Sequence, residues 1–248
     1  MIYICVATHN NARSIGLLLW KVRKVFREHP REYHVLAADF GSTDETREVL
    51  ENYQGAVPMS IERLDTTGYA QTLEGLIRVA LERSDRPKRD LAITLPADYR
   101  ASPAIIPTLV RSFESGADVI VGETQDGEKM FGRRLVRRWA GWLLKPGVRL
   151  PGVRDLTSGV NGYRLVTLRN SLRDADGPLL RTDGMCADAE LLARAAGHAR
   201  QVAAVHATEF QAPDPGPDEA RPWSLAVDLF RAGRRLRVPP LTVEVTRA

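Results

Sequence analysis

The sequence predicts an α/β domain whose core is a mostly parallel sheet covered by helices on both faces. Two observations carry this. Short apolar runs without helical period, at residues 2–6, 34–38 and 91–95, alternate with longer segments whose apolar residues recur at helical spacing. These runs end in a polar turn or lead to a carboxylate, and a helix-start signal follows. Strands alternating with helices imply crossover units, which bury a parallel sheet on both sides.

In chain order, residues 2–6 form the first strand and close on the turn Thr8-His9-Asn10-Asn11. Ile15, Leu18, Leu19, Val22 and Phe26 then mark one face of a helix. Residues 34–38 form a second strand ending in Asp39, and Gly41 permits a tight turn. Ser42-Thr43-Asp44-Glu45 has the form of a capping box that opens a helix through Thr46, Val49 and Leu50. Residues 59–62 make a third strand, followed by a loop at Thr66-Thr67-Gly68 and a helix through Leu73, Leu76, Ile77 and Ala80.

The central stretch is Leu91-Ala92-Ile93-Thr94-Leu95-Pro96-Ala97-Asp98, a buried strand that delivers Asp98 where the apolar run stops. Ser102-Pro103 supplies an N-cap and an N1 proline, so a helix carrying Ile105, Leu109 and Phe113 starts near Pro103. Residues 118–121 form another strand, ending at Gly122. Later, residues 188–192 begin a helix that ends near Gly197, and residues 201–205 are a last strand. The proline-rich run 213–222 reads as a loop, and residues 223–236 as a closing helix with Arg231, Arg234 and Arg235.

At 248 residues the chain can bury a full core, as one domain or two small ones. Its 44% apolar and 27% charged content is ordinary for a soluble protein, and a net charge of +4 alone selects no partner. No run approaches the roughly 18 apolar residues of a spanning helix. A strand beginning at residue 2 leaves no room for a signal peptide. Cys5 and Cys186 lack metal-type spacing, and two such cysteines suit a reducing cytoplasm.

Charge distribution says more. Residues 131–154 contain no acidic residue but carry Arg133, Arg134, Arg137, Arg138, Lys145, Arg149 and Arg154. Leu135, Trp139, Trp142 and Leu143 recur at i, i+4, i+7 and i+8, the pattern of a basic amphipathic helix. Such a face suits an anionic membrane surface or a phosphorylated ligand, or it is a core helix with a solvated basic back. Nucleic acid is not an expected partner, because the tryptophans share the apolar face rather than forming a stacking platform. In an open parallel sheet, ligands collect where strands end and helices begin. Asp98 therefore either serves a cation or a sugar hydroxyl there, or faces water.

Three segments, in order and in register, resemble family 2 glycosyltransferases of the GT-A fold. Ala38-Asp39-Phe40-Gly41-Ser42-Thr43-Asp44 is similar to that family's D-D-G-S-x-D segment. Pro96-Ala97-Asp98 stands at its D-x-D motif, followed by the proline-started helix and by the GADVIVG strand of residues 116–122. Arg154-Asp155-Leu156-Thr157-Ser158-Gly159, with Tyr163-Arg164 behind it, resembles the R-D-x-T-S-G-F-x-x-F-R run of dolichol/polyprenyl-phosphate mannose synthase-like enzymes. Asp188-x-Glu190 and the strand through His206 fit the same pattern, and the resemblance covers roughly residues 2–210.

The resemblance implies a GT-A domain over residues 1–210, with a nucleotide-sugar half at 1–122 and an acceptor half at 123–210. Residues 211–248 would be a C-terminal loop and amphipathic helix packed on the same domain. It further implies an inverting enzyme that moves a sugar from a nucleotide-sugar to a polyprenyl phosphate, peripheral to the cytoplasmic membrane face. On the donor side, Thr8, His9 and Asn11 would contact the nucleotide and Asp39 the base or ribose, beside the Gly68 loop. Asp98 would reach the metal–diphosphate or the sugar. Arg138, Arg154 and Ser158 would grip the acceptor phosphate, so Asp98, Arg154 and Ser158 are the expected catalytic set. An arginine plus a hydroxyl at a glycine-containing turn can bind a phosphate dianion through charge-assisted hydrogen bonds. A phosphate acceptor is already a nucleophile near neutral pH and needs no general base. The alternatives are a transferase with a soluble acceptor and a catalytically silent binding homologue.

The donor side departs from the family pattern. The P-T-Y-N-E loop is Ala7-Thr8-His9-Asn10-Asn11, Phe40 replaces the second carboxylate of D-D, and Pro96 replaces the first of D-x-D. Arg100 stands two residues beyond Asp98, where glutamine is frequent. Hard cations need several oxygen ligands, and Asp98 is the one clearly left for Mg2+ or Mn2+. No organic cofactor is expected. Arg100 either neutralises donor phosphate, pairs with Asp98, or faces solvent.

Overall fold

The computed structural model describes residues 1–124, 153, 155, 156, 158–207 and 245–247. Its elements in chain order are β1 (Ile2–Thr8), α1 (Ala12–Glu28), β2 (Tyr33–Asp39), α2 (Thr46–Tyr53), β3 (Met59–Ile61), α3 (Tyr69–Arg83) and β4 (Leu91–Thr94). A 3₁₀ turn (Pro103–Ile105) runs into α4 (Ile106–Glu114), followed by β5 (Val119–Thr124), β6 (Asn161–Arg164) and α5 (Leu165–Arg173). The described part closes with α6 (Met185–Ala196), β7 (Val202–Ala207) and β8 (Val245–Arg247).

The strands form one eight-stranded sheet in the order β3-β2-β1-β4-β6-β5-β7-β8. All neighbours are parallel except β6, which runs antiparallel to both β4 and β5. The expected α/β class with a mostly parallel sheet is therefore present. From β1 the chain winds outward through β2 and β3, whereas β4 lies on the other side of β1. The strand order thus reverses between β1 and β4, which is where open α/β sheets bind ligands.

The two faces of the sheet follow from the two-residue period of a strand. Tyr3, Cys5 and Ala7 of β1 pack with Leu73, Leu76 and Ile77 of α3 and Leu191 and Leu192 of α6. Ile2, Ile4 and Val6 point the other way, against Ile15, Leu18, Leu19 and Val22 of α1 and Leu109 of α4. Each such fully buried aliphatic side chain contributes about 1.5–3 kcal/mol.

Three local expectations need correction. Ser42 does not cap α2, which starts at Thr46; Asp44 does that work by accepting from Thr46 N at 3.0 Å and from Ala12 N at 3.1 Å. Its two oxygens thereby serve the first turns of two helices at once. The helix expected from Asp188 begins three residues earlier, at Met185, so Asp188 lies inside its first turn. The helix expected at Pro103 opens as a 3₁₀ turn, with the Ser102 side chain accepting from Ala104 N at 3.3 Å.

β6 and α5 were not legible. Asn161-Gly162-Tyr163-Arg164 shows no apolar alternation, yet it inserts between β4 and β5 with Arg164 opposite Leu91, at the end of the sheet away from the switch point. There Arg164 donates to Asp118 Oδ1 (2.7 Å) and to the carbonyls of Lys88 (2.8 Å), Ala117 (3.1 Å) and Phe113 (3.2 Å). Asp118 also accepts from Arg200 N at 2.9 Å and Nε at 3.0 Å. Burial raises the Asp118 carboxyl, but the Arg200 and Arg164 hydrogen bonds outweigh it and hold it below the usual range. Arg164, part of the motif run, is a structural staple.

Candidate functional site

The loops after β1 and β2 are built as one unit. Thr8 is fully buried, and its hydroxyl donates to Asn11 Oδ1 at 3.1 Å, which also accepts from His9 N at 3.0 Å. Asn10 adopts a left-handed backbone (φ 52°), tolerated by asparagine, and its Oδ1 accepts from Thr43 N at 2.9 Å across the loops. Asn10 N in turn donates to Ser42 Oγ at 2.8 Å. Asp39 accepts from Ser42 N at 3.2 Å and from the Ser42 hydroxyl. Gly41, at φ +94°, closes that turn.

Of the expected nucleotide contacts, His9 is the one that faces outward. Its ring stacks on Phe40 with centroids 5.0 Å apart and planes 15° from parallel. The two aromatic departures from the family pattern therefore come together as a pair. Gly68 is the N-cap of α3, where a Cβ would lie 3.0 Å from Asp183 Oδ2. Asp183 Oδ1 accepts from Ala70 N at 2.8 Å, so a carboxylate of the protein already serves that positive helix end.

Across the switch point, β4 leads into Pro96, Ala97 and Asp98. Ser14 of α1 donates to Ala97 O at 2.7 Å, tying this turn to the first helix. Tyr99 is buried at φ +60°, a left-handed conformation that is strained for a bulky residue. That kink brings Arg100 N back to Asp98 Oδ1 at 3.1 Å and turns the Arg100 side chain inward. The Asp98 side chain remains 41% exposed, whereas Arg100 is 17% exposed. Arg100 Nη2 donates to Asp188 Oδ2 at 3.3 Å, and its Nε lies 3.7 Å from Asp98 Oδ1. Arg100 thus does not face solvent.

Asp188 is 1% exposed and also accepts from the Tyr69 hydroxyl at 2.7 Å. Burial pushes its carboxyl up to about 6, against the opposing pull of Arg100 and Tyr69 and with added repulsion from Asp98 and Asp155. Burial also disfavours charge on Arg100, but Asp98, Asp188, Tyr69 and Asp155 outweigh it and keep the guanidinium protonated. Tyr69 is raised well above its usual range by burial and by Asp188.

Of the expected acceptor residues, Arg138 and Arg154 lie outside the described residues, as do the basic segment at 133–145 and the closing helix at 223–236. Ser158 is described and 1% exposed, with its hydroxyl accepting from Val160 N at 3.3 Å. Gly159 follows at φ +73°, and a Cβ there would lie 3.0 Å from Asp188 Oδ2 and 3.1 Å from Arg100 Nη2. Gly159 is thus laid directly against the Arg100–Asp188 pair.

Asp188, Tyr69, Asp155 and Asp183 were not expected as site residues. Asp188-x-Glu190 offered a signal, and the two carboxylates split the work. Glu190 is fully buried and satisfied by Arg181 N (2.9 Å), Thr182 N (2.9 Å), Thr182 Oγ1 (2.8 Å) and Arg194 Nη2 (2.8 Å). It holds the scaffold, leaving Asp188 to the site.

The residues described do not fit a divalent cation. Among them no group of three or more His, Cys, Asp or Glu could hold a metal. Asp98 Oδ1 is taken by Arg100 N, both Asp188 oxygens are hydrogen-bonded, and a guanidinium stands between the two carboxylates. A cation there would meet that fixed charge.

A family model described as Glycosyl transferase family 2 matches residues 3–169. Among curated proteins, the chain is 22% identical over 166 residues to a dolichol-phosphate mannosyltransferase of Pyrococcus furiosus, covering 64% of this chain and 44% of that one. It is 28% identical over 149 residues to an undecaprenyl-phosphate 4-deoxy-4-formamido-L-arabinose transferase of Pseudomonas fluorescens, covering 59% and 41%. The chain spans less than half the length of these two relatives. Among solved structures, glucosyl-3-phosphoglycerate synthase from Mycobacterium tuberculosis, in complex with Mn2+, UDP and phosphoglyceric acid, superposes with a TM-score of 0.62 at 17% identity, covering 94% of this chain and 78% of that one. S. aureus TarS 1-349 with UDP-GlcNAc gives 0.54 at 17% identity, covering 86% and 59%. With the family match spanning most of the described domain and GT-A neighbours sharing its sheet, the chain belongs to glycosyl transferase family 2.

Proposed function

We propose that this chain is an inverting glycosyltransferase that moves a sugar from a nucleotide-sugar to a polyprenyl phosphate. The carrying observation is the meeting of Gly159 with Arg100 and Asp188, which sets the acceptor-motif segment against the turn after β4. A transferase must hold donor and acceptor within bonding reach, and this packing joins the two segments assigned to them. The outward His9 ring, braced by Phe40, offers a nucleobase an aromatic face. Asp98, the exposed carboxylate of the turn, suits a sugar hydroxyl. Attack by a phosphate oxygen on the anomeric carbon forms the new C–O bond as the bond to the donor diphosphate breaks, releasing a nucleoside diphosphate with inversion.

Arg154, with Arg138 and Ser158, is the proposed grip on the acceptor phosphate. The curated relatives named for dolichol-phosphate and undecaprenyl-phosphate support a lipid-linked acceptor. Peripheral contact with the cytoplasmic membrane face, through the basic segment at 133–145, belongs to the same proposal. Among the described residues no helix is long and apolar enough to cross a membrane.

A second reading, transfer to a soluble hydroxyl acceptor, is favoured by one observation. A hydroxyl needs a base, and Asp98, 41% exposed at the end of the turn after β4, is a carboxylate that an acceptor hydroxyl could reach. A thermal-shift screen of GDP-, UDP-, dTDP- and CDP-sugars tests the donor. A ligand present at about 100 times its Kd should add about 2.7 kcal/mol of stability. Arg154→Ala should then raise the KM for polyprenyl phosphate far more than that for the donor, and equal effects would remove Arg154 from the acceptor site.

A further inference from the structure

We propose that Arg100 is the diphosphate-binding cation of this site, so that a nucleoside diphosphate binds here without a divalent metal. The inference rests on the donor reading above and deepens it. It starts from the donor set at the turn after β4, which among the described residues lacks the oxygens a hard cation needs and contains a guanidinium instead.

The turn is built to hold that guanidinium. Tyr99 adopts its left-handed backbone at φ +60°, and Arg100 N is bonded to Asp98 Oδ1 at 3.1 Å. These fix the base of the side chain. Asp188, itself held by Tyr69 at 2.7 Å, fixes the tip through one hydrogen bond at 3.3 Å. Among the described residues Arg100 Nε is buried without a hydrogen-bond partner, its nearest carboxylate oxygen being Asp98 Oδ1 at 3.7 Å. A guanidinium carries five N–H donors in a planar fork that matches two phosphate oxygens at once. A buried donor left unsatisfied is destabilising, so an incoming anion that satisfies it gains in addition to its charge pairing.

Only a residue without a side chain fits beside the fork. Gly159 passes so close that a Cβ would lie 3.1 Å from Arg100 Nη2. A fixed guanidinium here balances the negative charge that builds on the leaving diphosphate, as preorganised cations do for transferring groups. Asp98 and Asp188 flank it and keep it charged. They also limit how tightly any anion binds.

The test is calorimetric titration with UDP, GDP, dTDP and CDP on the full chain in excess EDTA, repeated with excess Mn2+. At least one nucleotide should bind in EDTA, with Mn2+ changing its Kd by less than about threefold. Arg100→Gln should weaken that nucleotide at least about tenfold in EDTA, while the matching nucleoside, which carries no phosphate, binds as before. Arg100→Lys should recover part of the loss, because a point charge replaces the fork. The comparison of EDTA with Mn2+ on the unaltered chain needs no variant, so it decides even if Arg100→Gln fails to fold. Binding that requires Mn2+ overturns the inference and leaves the donor reading standing. Equal binding by Arg100→Gln in EDTA also overturns it. If none of the four nucleotides binds in either condition, the donor reading falls and this inference with it.

Discussion

Arg100 and Asp188, 88 residues apart in sequence, meet with Nη2 3.3 Å from Oδ2 and join the turn after β4 to the first turn of α6. The pair couples the β4 end of the sheet to the helix that follows β6 and α5. Opposing influences also meet on Asp188: burial and two neighbouring carboxylates favour a protonated carboxyl, while the guanidinium favours an ionised one.

That balance predicts a pH signature. The Asp188 carboxyl lies at about 6 in the fold against 3.8 ordinarily, so between those values the native state binds more protons than the unfolded chain. Stability contributed by Asp188 is therefore lost as pH rises through about 6 and regained on acidification, with a range of about 3 kcal/mol. His34, lowered by burial and Arg83, works in the opposite sense and cancels in a comparison with Asp188→Asn. Urea unfolding at pH 7 and pH 4.5 should show the wild type gaining relative to Asp188→Asn at the lower pH. Parallel curves would mean that Asp188 titrates normally.

Gly159→Ala should damage the site more than the fold. The left-handed φ of +73° costs a non-glycine residue about 1–3 kcal/mol, and the new methyl would sit 3.0 Å from Asp188 and 3.1 Å from Arg100. Nucleotide binding and transfer should fall at least about tenfold in protein that still unfolds cooperatively. Full activity in the alanine variant would mean that the approach of this loop to Arg100 has no part in function.

Much of the architecture was legible because strands and amphipathic helices announce themselves by period. Ile2 to Val6 alternate between the two cores, and Ile15, Leu18, Leu19 and Val22 line the face of α1. β6 escaped because its stability comes from elsewhere. Gly162 sits where a Cβ would press within 3.2 Å of Ile120, and Arg164 is held by contacts to residues 118, 117, 113 and 88. Neither signal is local. Asp98 and Arg100 could be placed at the end of a strand from spacing alone. Which way Arg100 turns depends on Asp188 and Tyr69, brought to it by tertiary packing.

Arg164 gives a second stability test. Its side chain is 12% exposed and Asp118 4%, so Arg164→Ala leaves Asp118 to Arg200 alone and removes the donor to three carbonyls, and should cost about 1.5–3 kcal/mol. Arg164→Lys should recover little, because one ammonium cannot reach Asp118 and three carbonyls together. Chemical denaturation of both variants reads this directly. A loss below about 1 kcal/mol for Arg164→Ala would place Arg164 among surface charges.

Gly122→Ala probes the same central region. A Cβ there would lie 2.5 Å from Val160 O and 2.9 Å from Ile105 Cδ1, and the first of these is backbone that cannot step aside. The variant should lose about 1–3 kcal/mol, read as a lower denaturation midpoint. An unchanged midpoint would show that β5 and the segment before β6 are less tightly apposed than described.

The proposal of a lipid-phosphate glycosyltransferase is tested most directly by nucleoside diphosphate release from a stabilising nucleotide-sugar, measured with and without short-chain polyprenyl phosphate. Release that depends on the polyprenyl phosphate, with one glycosyl phosphate product formed per diphosphate released, is the predicted result. Release that is unaffected by polyprenyl phosphate but stimulated by a soluble hydroxyl acceptor would contradict the lipid-phosphate assignment and favour the soluble acceptor.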